Sequence, residues 1–390
     1  MPIKNRLAEM HGDITAWRHD LHRHPEILYE THRTSALVAD KLRAFGCDEV
    51  ATGIGRTGVV GVIHGRSTAS GKVTGFRADM DALPINEATG VAHASTIPGA
   101  MHACGHDGHT AMLLGAAQYL AETRNFDGTV VVIFQPAEEG GAGGLAMVED
   151  GLMDRWNIQE VYGLHNTPGL PVGQFAIRPG PLLASADEFV ITLDGRGGHA
   201  AMPHEAIDLV LVGSQIVVAL NAIVSRNINP VRPAVVTVAT FLTEGDTQNV
   251  ISQTVKLRGT VRCFDGAVRD QIETRLTTLA TSIAAAHGAE ASVAYDRGYP
   301  PTVNHPEQTA FAADCAEAVA GQGQVLRDVD PLMPAEDFAY MLEARPGAYI
   351  LLGNGDTAMC HHPMYDFDDA AIPLGCSWFA ELAERRMPLG

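Results

Sequence analysis

Residues 128–141 read Gly128-Thr-Val-Val-Val-Ile-Phe-Gln-Pro-Ala-Glu-Glu-Gly-Gly141. Val130 to Phe134 is an unbroken apolar run with no alternation. Such a run predicts a strand buried on both faces, the habit of a parallel sheet covered by helices. The run stops at Gln135-Pro136, and two adjacent carboxylates, Glu138 and Glu139, follow at once. A carboxylate pair after a strand would ordinarily be two solvated loop charges. Its meaning depends on what else leaves the sheet at the same edge.

Upstream, Val59 to Ile63 predicts a strand. Lys72 to Arg77 predicts another, which runs into Asp79 and Asp81. Met101-His-Ala-Cys-Gly-His-Asp-Gly-His-Thr110 gathers three histidines, a cysteine and an aspartate on a loop. A helix-like apolar run from Thr110 to Leu120 follows it. Downstream, Glu160 to Leu164 predicts a strand ending in His165. Ala348 to Leu352 predicts another, followed by Cys360-His-His-Pro363. Strand–helix–strand repetition makes this an α/β chain, with a mostly parallel sheet covered by helices. In open α/β sheets ligands bind outside the carboxyl ends of the strands. Asp79, Asp81, Glu138, Glu139, His165 and one of His361 and His362 are therefore expected to converge on Cys104 and His106.

Helical spacing over 3–23 (Ile3, Leu7, Met10, Ile14, Trp17, Leu21) ends at Pro25, and a second helix is expected near 31–45 before Gly46. From Asp187 the pattern changes to strand 187–195, helix 206–225, strands 234–243 and 249–264, helix 266–287 and strand 290–298. This βαββαβ order predicts a ferredoxin-like insert. Arg178-Pro-Gly-Pro181 and Gly298-Tyr-Pro-Pro301 flank it as joints. The expected division is a discontinuous catalytic domain, 1–183 and 300–390, and an inserted domain, 184–299. α/β character resumes after the insert, and a last helix is expected near 371–386.

With 390 residues, two domains are the natural expectation. A hydrophobic content of 46 % against 19 % charged residues describes a folded, soluble chain. The net charge of −19 argues against nucleic acid, which needs a basic surface, and against anionic membranes. Ala206 to Val224 is apolar but carries Asp208, Ser214, Gln215 and Asn221, which reads as a buried helix and not a membrane span. Six scattered cysteines and an N-terminus without an apolar signal core point to the cytoplasm.

The gathered side chains exceed what one tetrahedral metal needs. Mixed sulfur, nitrogen and oxygen donors fit two divalent ions, which polarise a carbonyl and activate water. One carboxylate of the Glu138–Glu139 pair can bind metal while the other works as a base. Cys104 as a nucleophile is the competing enzymatic reading, and the surplus of carboxylates disfavours it. Of His361 and His362, one is expected to point inward.

The motifs Arg77-Ala-Asp-Met-Asp-Ala-Leu-Pro84, Met101 to His109, Gln135-Pro-Ala-Glu-Glu-Gly140, Gly163-Leu-His165, Gly198-His-Ala-Ala-Met-Pro-His204, Glu336-Asp-Phe338 and His361-His-Pro363 occur in this order. Together they resemble the two-metal aminoacylase and carboxypeptidase superfamily, in the branch of hippurate hydrolase and the plant indoleacetyl-amino-acid hydrolases. The resemblance implies that Cys104, His106, Glu139, His165 and His361 bind metal and that Glu138 is the general base. It selects His361 through the His-x-Pro pattern and gives Asp81 an outer, orienting role. It makes the insert a lid and dimerisation domain, which brings His199 to a partner's site to help hold the oxyanion. Asn249 and Arg262 are implied for the substrate carboxylate. His102 and His109 keep supporting roles. The implied protein is a homodimer or homotetramer hydrolysing N-acyl-L-amino acids with Zn, Mn, Co or Ni. Its rivals are a metallo-dipeptidase or carboxypeptidase of the same superfamily, and a non-catalytic member that binds conjugates.

Overall fold

The computed structural model describes residues 4–390, so Ile3 of the first expected helix lies outside the described residues. The chain divides into two compact units. One comprises residues up to Leu182, Val303–Asp330 and Asp337–Gly390. The other comprises Leu183–Thr302 and Pro331–Glu336.

The larger unit is built on an eight-stranded sheet. Its order is Glu49–Ile54, Gly58–His64, Thr129–Gln135, Val73–Asp79, Glu160–Thr167, Gly347–Gly353, Phe175–Ala176 and Val325–Leu326. The four strands from Thr129–Gln135 through Gly347–Gly353 are mutually parallel, and the antiparallel pairings lie outside them. Four neighbouring parallel strands release their carboxyl ends at one edge, which is what lets the loops after them meet. Thr129–Gln135 is buried along almost its whole length, as its unbroken apolar run requires. The first strand, Glu49–Ile54, was not legible because its sequence mixes Gly, Thr and Glu.

Helix His106–Thr123 is the central packing element, buried nearly all round. It lies against helices Ile372–Arg386, His11–Arg23 and His32–Phe45. Gly115 permits this close approach, since a Cβ there would overlap Ile14 and Cys376. The helix begins at His106, four residues earlier than the apolar run alone suggests. The first expected helix is interrupted at Met10, giving Asn5–Glu9 and His11–Arg23. Gly46, in the left-handed region at φ 80°, closes the next helix, His32–Phe45.

The smaller unit runs Asp187–Asp194, Leu209–Ala222, Ala234–Thr243, Thr254–Cys263, Gly266–Ala286 and Glu290–Arg297, in the order strand, helix, strand, strand, helix, strand. Its four-stranded sheet leaves Ala234–Thr243 at an edge. Phe189, Ile191, Leu193, Ile216, Leu257 and Ile272 form its core. The helix expected to be buried, within 206–224, is not. Only 33 % of its apolar window is buried, and Val210, Leu211 and Val218 lie exposed. By length and composition Leu209–Asn227 could cross a membrane. Apolar content does not fix burial, since an apolar face can also await a partner.

Candidate metal centre

Strand Val73–Asp79 ends in a carboxylate, and Asp81 follows two residues later. Both are fully buried. The Asp81 carboxylate accepts the backbone N–H of Glu138 at 2.9 Å and that of Glu139 at 3.1 Å. It thereby fixes the turn after Thr129–Gln135. Ala137, just before this pair, sits in the left-handed region at φ 54°, which a non-glycine residue adopts only when its surroundings impose it. Burial pushes the Asp81 carboxyl up against the lowering effect of His106 and the two N–H groups.

Cys104 precedes the helix and His106 is its first residue. Gly105 joins them at φ 93°, where a Cβ would overlap Asn166 and Tyr365. The His106 Nδ1–H donates to the Asp81 carbonyl at 2.8 Å, so Nε2 faces inward. His165 lies within its strand, two residues before its end, and not beyond it as expected. Its Nδ1–H donates to the Asn166 carbonyl at 2.5 Å, and Nε2 stands 3.4 Å from Cys104 Sγ. His361 arrives on the loop after Gly347–Gly353, at φ 67°, with Nε2 3.3 Å from Glu139 Oε1. His362 is exposed, and its Nδ1 accepts the Met364 N–H, so it is turned away from this set.

Three groups of possible ligand atoms lie within 4.8 Å of one another here: Cys104, His106 and His165; Cys104, Glu139 and His361; His106, Glu138 and Glu139. The first two share Cys104. His106 Nε2 is buried without a hydrogen-bond partner and lies 3.9 Å from Glu139 Oε1, which His361 Nε2 approaches at 3.3 Å. Unsatisfied buried donor atoms aimed at one point are costly unless a cation completes them. The donor set of one thiol, three imidazoles and carboxylates fits divalent ions of the zinc, cobalt, nickel or manganese kind. Burial opposes charge on His106, yet Asp79, Asp81 and Glu139 outweigh it and push the ring up to about 10. His361 is raised chiefly by its hydrogen bond to Glu139. The thiols of Cys104 and Cys360 interact, which raises Cys104 and holds Cys360 down at about 6.

Behind this group lies a buried layer that sequence reasoning missed. Arg77 pairs with Asp79 at 2.7 Å and with Asp337 at 3.0 Å. Asp79 in turn accepts from His109 Nδ1 at 2.6 Å. His109 Nε2 then accepts the Asn166 N–H at 3.0 Å, directly beside His165. On the other side of the helix start, Asp107 meets His22 at 2.8 Å and Arg18 at 3.3 Å. The available signal was charge inside the motifs themselves, since Arg77, Asp79 and Asp107 sit in stretches that fold inward. His102 is buried, with no hydrogen-bond partner for either ring nitrogen.

The remaining expected residues belong to the smaller unit. Gly198–His199 pairs antiparallel with Val250–Ile251, and the Ala200 N–H donates to the Asn249 carbonyl at 3.0 Å, so His199 and Asn249 are neighbours. Both are exposed. Arg262 lies on a different strand, with its guanidinium bonded to Thr260 and the Val261 carbonyl.

The sequence model described as peptidase family M20/M25/M40 matches residues 75–385. The N-acetyl-L-cysteine deacetylase of Bacillus subtilis is 40 % identical over 380 residues, covering 97 % of this chain and 89 % of that protein. The hippurate hydrolase of Campylobacter jejuni is 38 % identical over 383 residues, covering 98 % and 99 %. Among solved structures, a dinuclear metal-binding M20 peptidase of B. subtilis superimposes with a TM-score of 0.85 at 33 % identity, covering 97 % and 99 %.

Proposed function

Because the chain belongs to peptidase family M20/M25/M40, we propose that it is a metal-dependent amidohydrolase that cleaves N-acyl-L-amino acids to a carboxylic acid and an amino acid. The names of its relatives, an N-acetylcysteine deacetylase and a hippurate hydrolase, support this substrate class. One observation carries the reading. Two ligand triads share Cys104, while Glu138, only 7 % exposed, belongs to neither of these and is grouped instead with His106 and Glu139 at the same space.

In this reading Cys104, His106 and His165 would hold one ion, and Cys104, Glu139 and His361 the other. When bound, the ions supply Lewis acidity and a water acidified toward neutral pH. Glu138 takes the proton from the attacking water and returns it to the departing amine nitrogen. Asp81 holds the backbone of both glutamates, so base and ligand keep a fixed separation. His199, supplied by the smaller unit of a partner protomer, donates to the oxyanion, and Asn249 and Arg262 are the candidates for the substrate carboxylate. The metal is Zn, Mn, Co or Ni.

The exposed apolar face of Leu209–Ala222 and the unpaired edge strand Ala234–Thr243 support a homodimer formed through the smaller unit. All six cysteines are free, which agrees with a reducing cytoplasm. The test is Glu138→Gln assayed on hippurate and N-acetyl amino acids. It should retain two metals per subunit and lose about 10²–10⁴-fold in kcat. A variant with near-full turnover refutes the assignment.

A further inference from the structure

Cys360 has no role in the proposed chemistry, yet it lies against a residue that does. The His361 N–H donates to the Ala103 carbonyl at 2.7 Å, which lays residues 360–361 alongside 103–104. Cys360 Sγ stands 3.9 Å from the Cys104 carbonyl oxygen. Among the described residues no ligating group includes Cys360. Cys104 is buried at 8 % exposure, while Cys360 is partly open to solvent. One thiol is therefore reachable by a small oxidant, and the other is its immediate neighbour.

We propose that Cys104 and Cys360 form a redox modification site, closing into a reversible disulfide that removes the one sulfur shared by both ligand triads. The inference rests on the reading of Cys104 as a ligand. The oxidant is a peroxide. The Cys360 thiol reacts with hydrogen peroxide, the O–O bond breaks, and a sulfenic acid and one water form. The Cys104 thiol then attacks the Cys360 sulfur, the S–O bond breaks, and the second water leaves as the S–S bond forms. Two thiols and one peroxide thus become one disulfide and two waters. A bound metal competes for the Cys104 sulfur, so occupancy of the site slows closure.

The test treats the purified reduced protein with hydrogen peroxide, with and without prior metal loading, and reads three quantities: non-reduced peptide maps, free thiols and bound metal. A peptide pair joined through Cys104 and Cys360 is expected, with two of the six thiols lost. Metal should be released in parallel, and dithiothreitol should restore all three. Metal loading should slow the linkage by about tenfold or more, the scale on which a tightly held ligand withdraws a nucleophile. Cys360→Ser and Cys360→Ala should form no linkage. Their Cys104 should pass to the sulfinic acid, so that dithiothreitol no longer restores metal binding. Absence of the linked peptide in the wild type overturns the proposal. So does a pair of Cys360 variants that lose and regain metal on the wild-type schedule. The metal content of the untreated reduced protein separates the two readings. If it binds no metal, the ligand assignment fails. If it binds two ions but never links, the redox proposal alone fails.

Discussion

Asp81→Asn is the sharpest test of how the centre is held. One carboxylate accepts two backbone N–H groups, from Glu138 at 2.9 Å and Glu139 at 3.1 Å. The amide keeps one acceptor oxygen and turns an NH₂ toward the other N–H. One hydrogen bond to a charged group is lost, about 1.5–3 kcal/mol, and the survivor is weakened. Asp81 is fully buried, so water cannot replace the missing partner. If the loss is expressed as displacement of the two glutamates, it equals about 10- to 100-fold in metal affinity, the usual cost of removing an outer hydrogen-bond partner. Turnover at saturating metal should fall by about tenfold or more because Glu138 loses its anchor. KM should change little, since Asp81 is spent on backbone groups. Competition against a chromophoric chelator gives the affinity, and steady-state hydrolysis at saturating metal gives kcat. Metal affinity within twofold of the wild type would refute this account.

Two further outcomes follow from named contacts. Val218 is 73 % exposed on the apolar helix of the smaller unit, so Val218→Asp should convert a dimer to monomers in light scattering while leaving metal content unchanged. An unaltered mass would show that this face is not the interface. Burial opposes charge on His22, but Asp107 holds it at about 9 against an ordinary 6.5. Its stabilising effect is therefore complete below pH 6.5 and is lost as the pH rises through about 9. The shift is worth at most about 3 kcal/mol. Asp107, held below its ordinary 3.8, contributes stability that is present above that value and lost only as the pH falls into the acid range, so it does not vary across this window. In chelator, the stability advantage of the wild type over His22→Gln should shrink between pH 6 and 9.5, and parallel melting profiles would refute it.

Much of the centre was legible because its residues follow strands, and strand exits converge by topology. The apolar run before Gln135 and the carboxylates after it specify both the sheet and the edge. Periodicity cannot report the state of a surface, and this is why Leu209–Ala222 was misread as buried. Nor does it locate a first turn made of polar residues after a glycine N-cap, so His106 reads as a loop residue. The Arg77–Asp79–His109–Asn166 chain was invisible for a different reason. Beyond the local Arg77–Asp79 pair, its links join polar residues 30 or more positions apart, and no local pattern encodes that pairing.

The acidic donors around His106 also set the proton balance of metal binding. With no metal, Asp79, Asp81 and Glu139 surround His106, and the ring answers by holding a proton up to about 10. The proton stands where a cation would. Metal binding must expel it, because Nε2 can donate its lone pair only when deprotonated. At neutral pH at least one proton should therefore leave His106 as metal enters, with more from Cys104 and His361, both raised above their ordinary values. For a single proton the affinity rises about tenfold per pH unit below the ring's own value. Calorimetric titrations in buffers of different ionisation enthalpy count the protons directly. His106→Gln should reduce the count by about one at pH 7. If wild-type metal uptake at pH 7 releases no protons, the acidic cluster is not what holds His106 charged, and the charge balance argued for the empty centre is wrong.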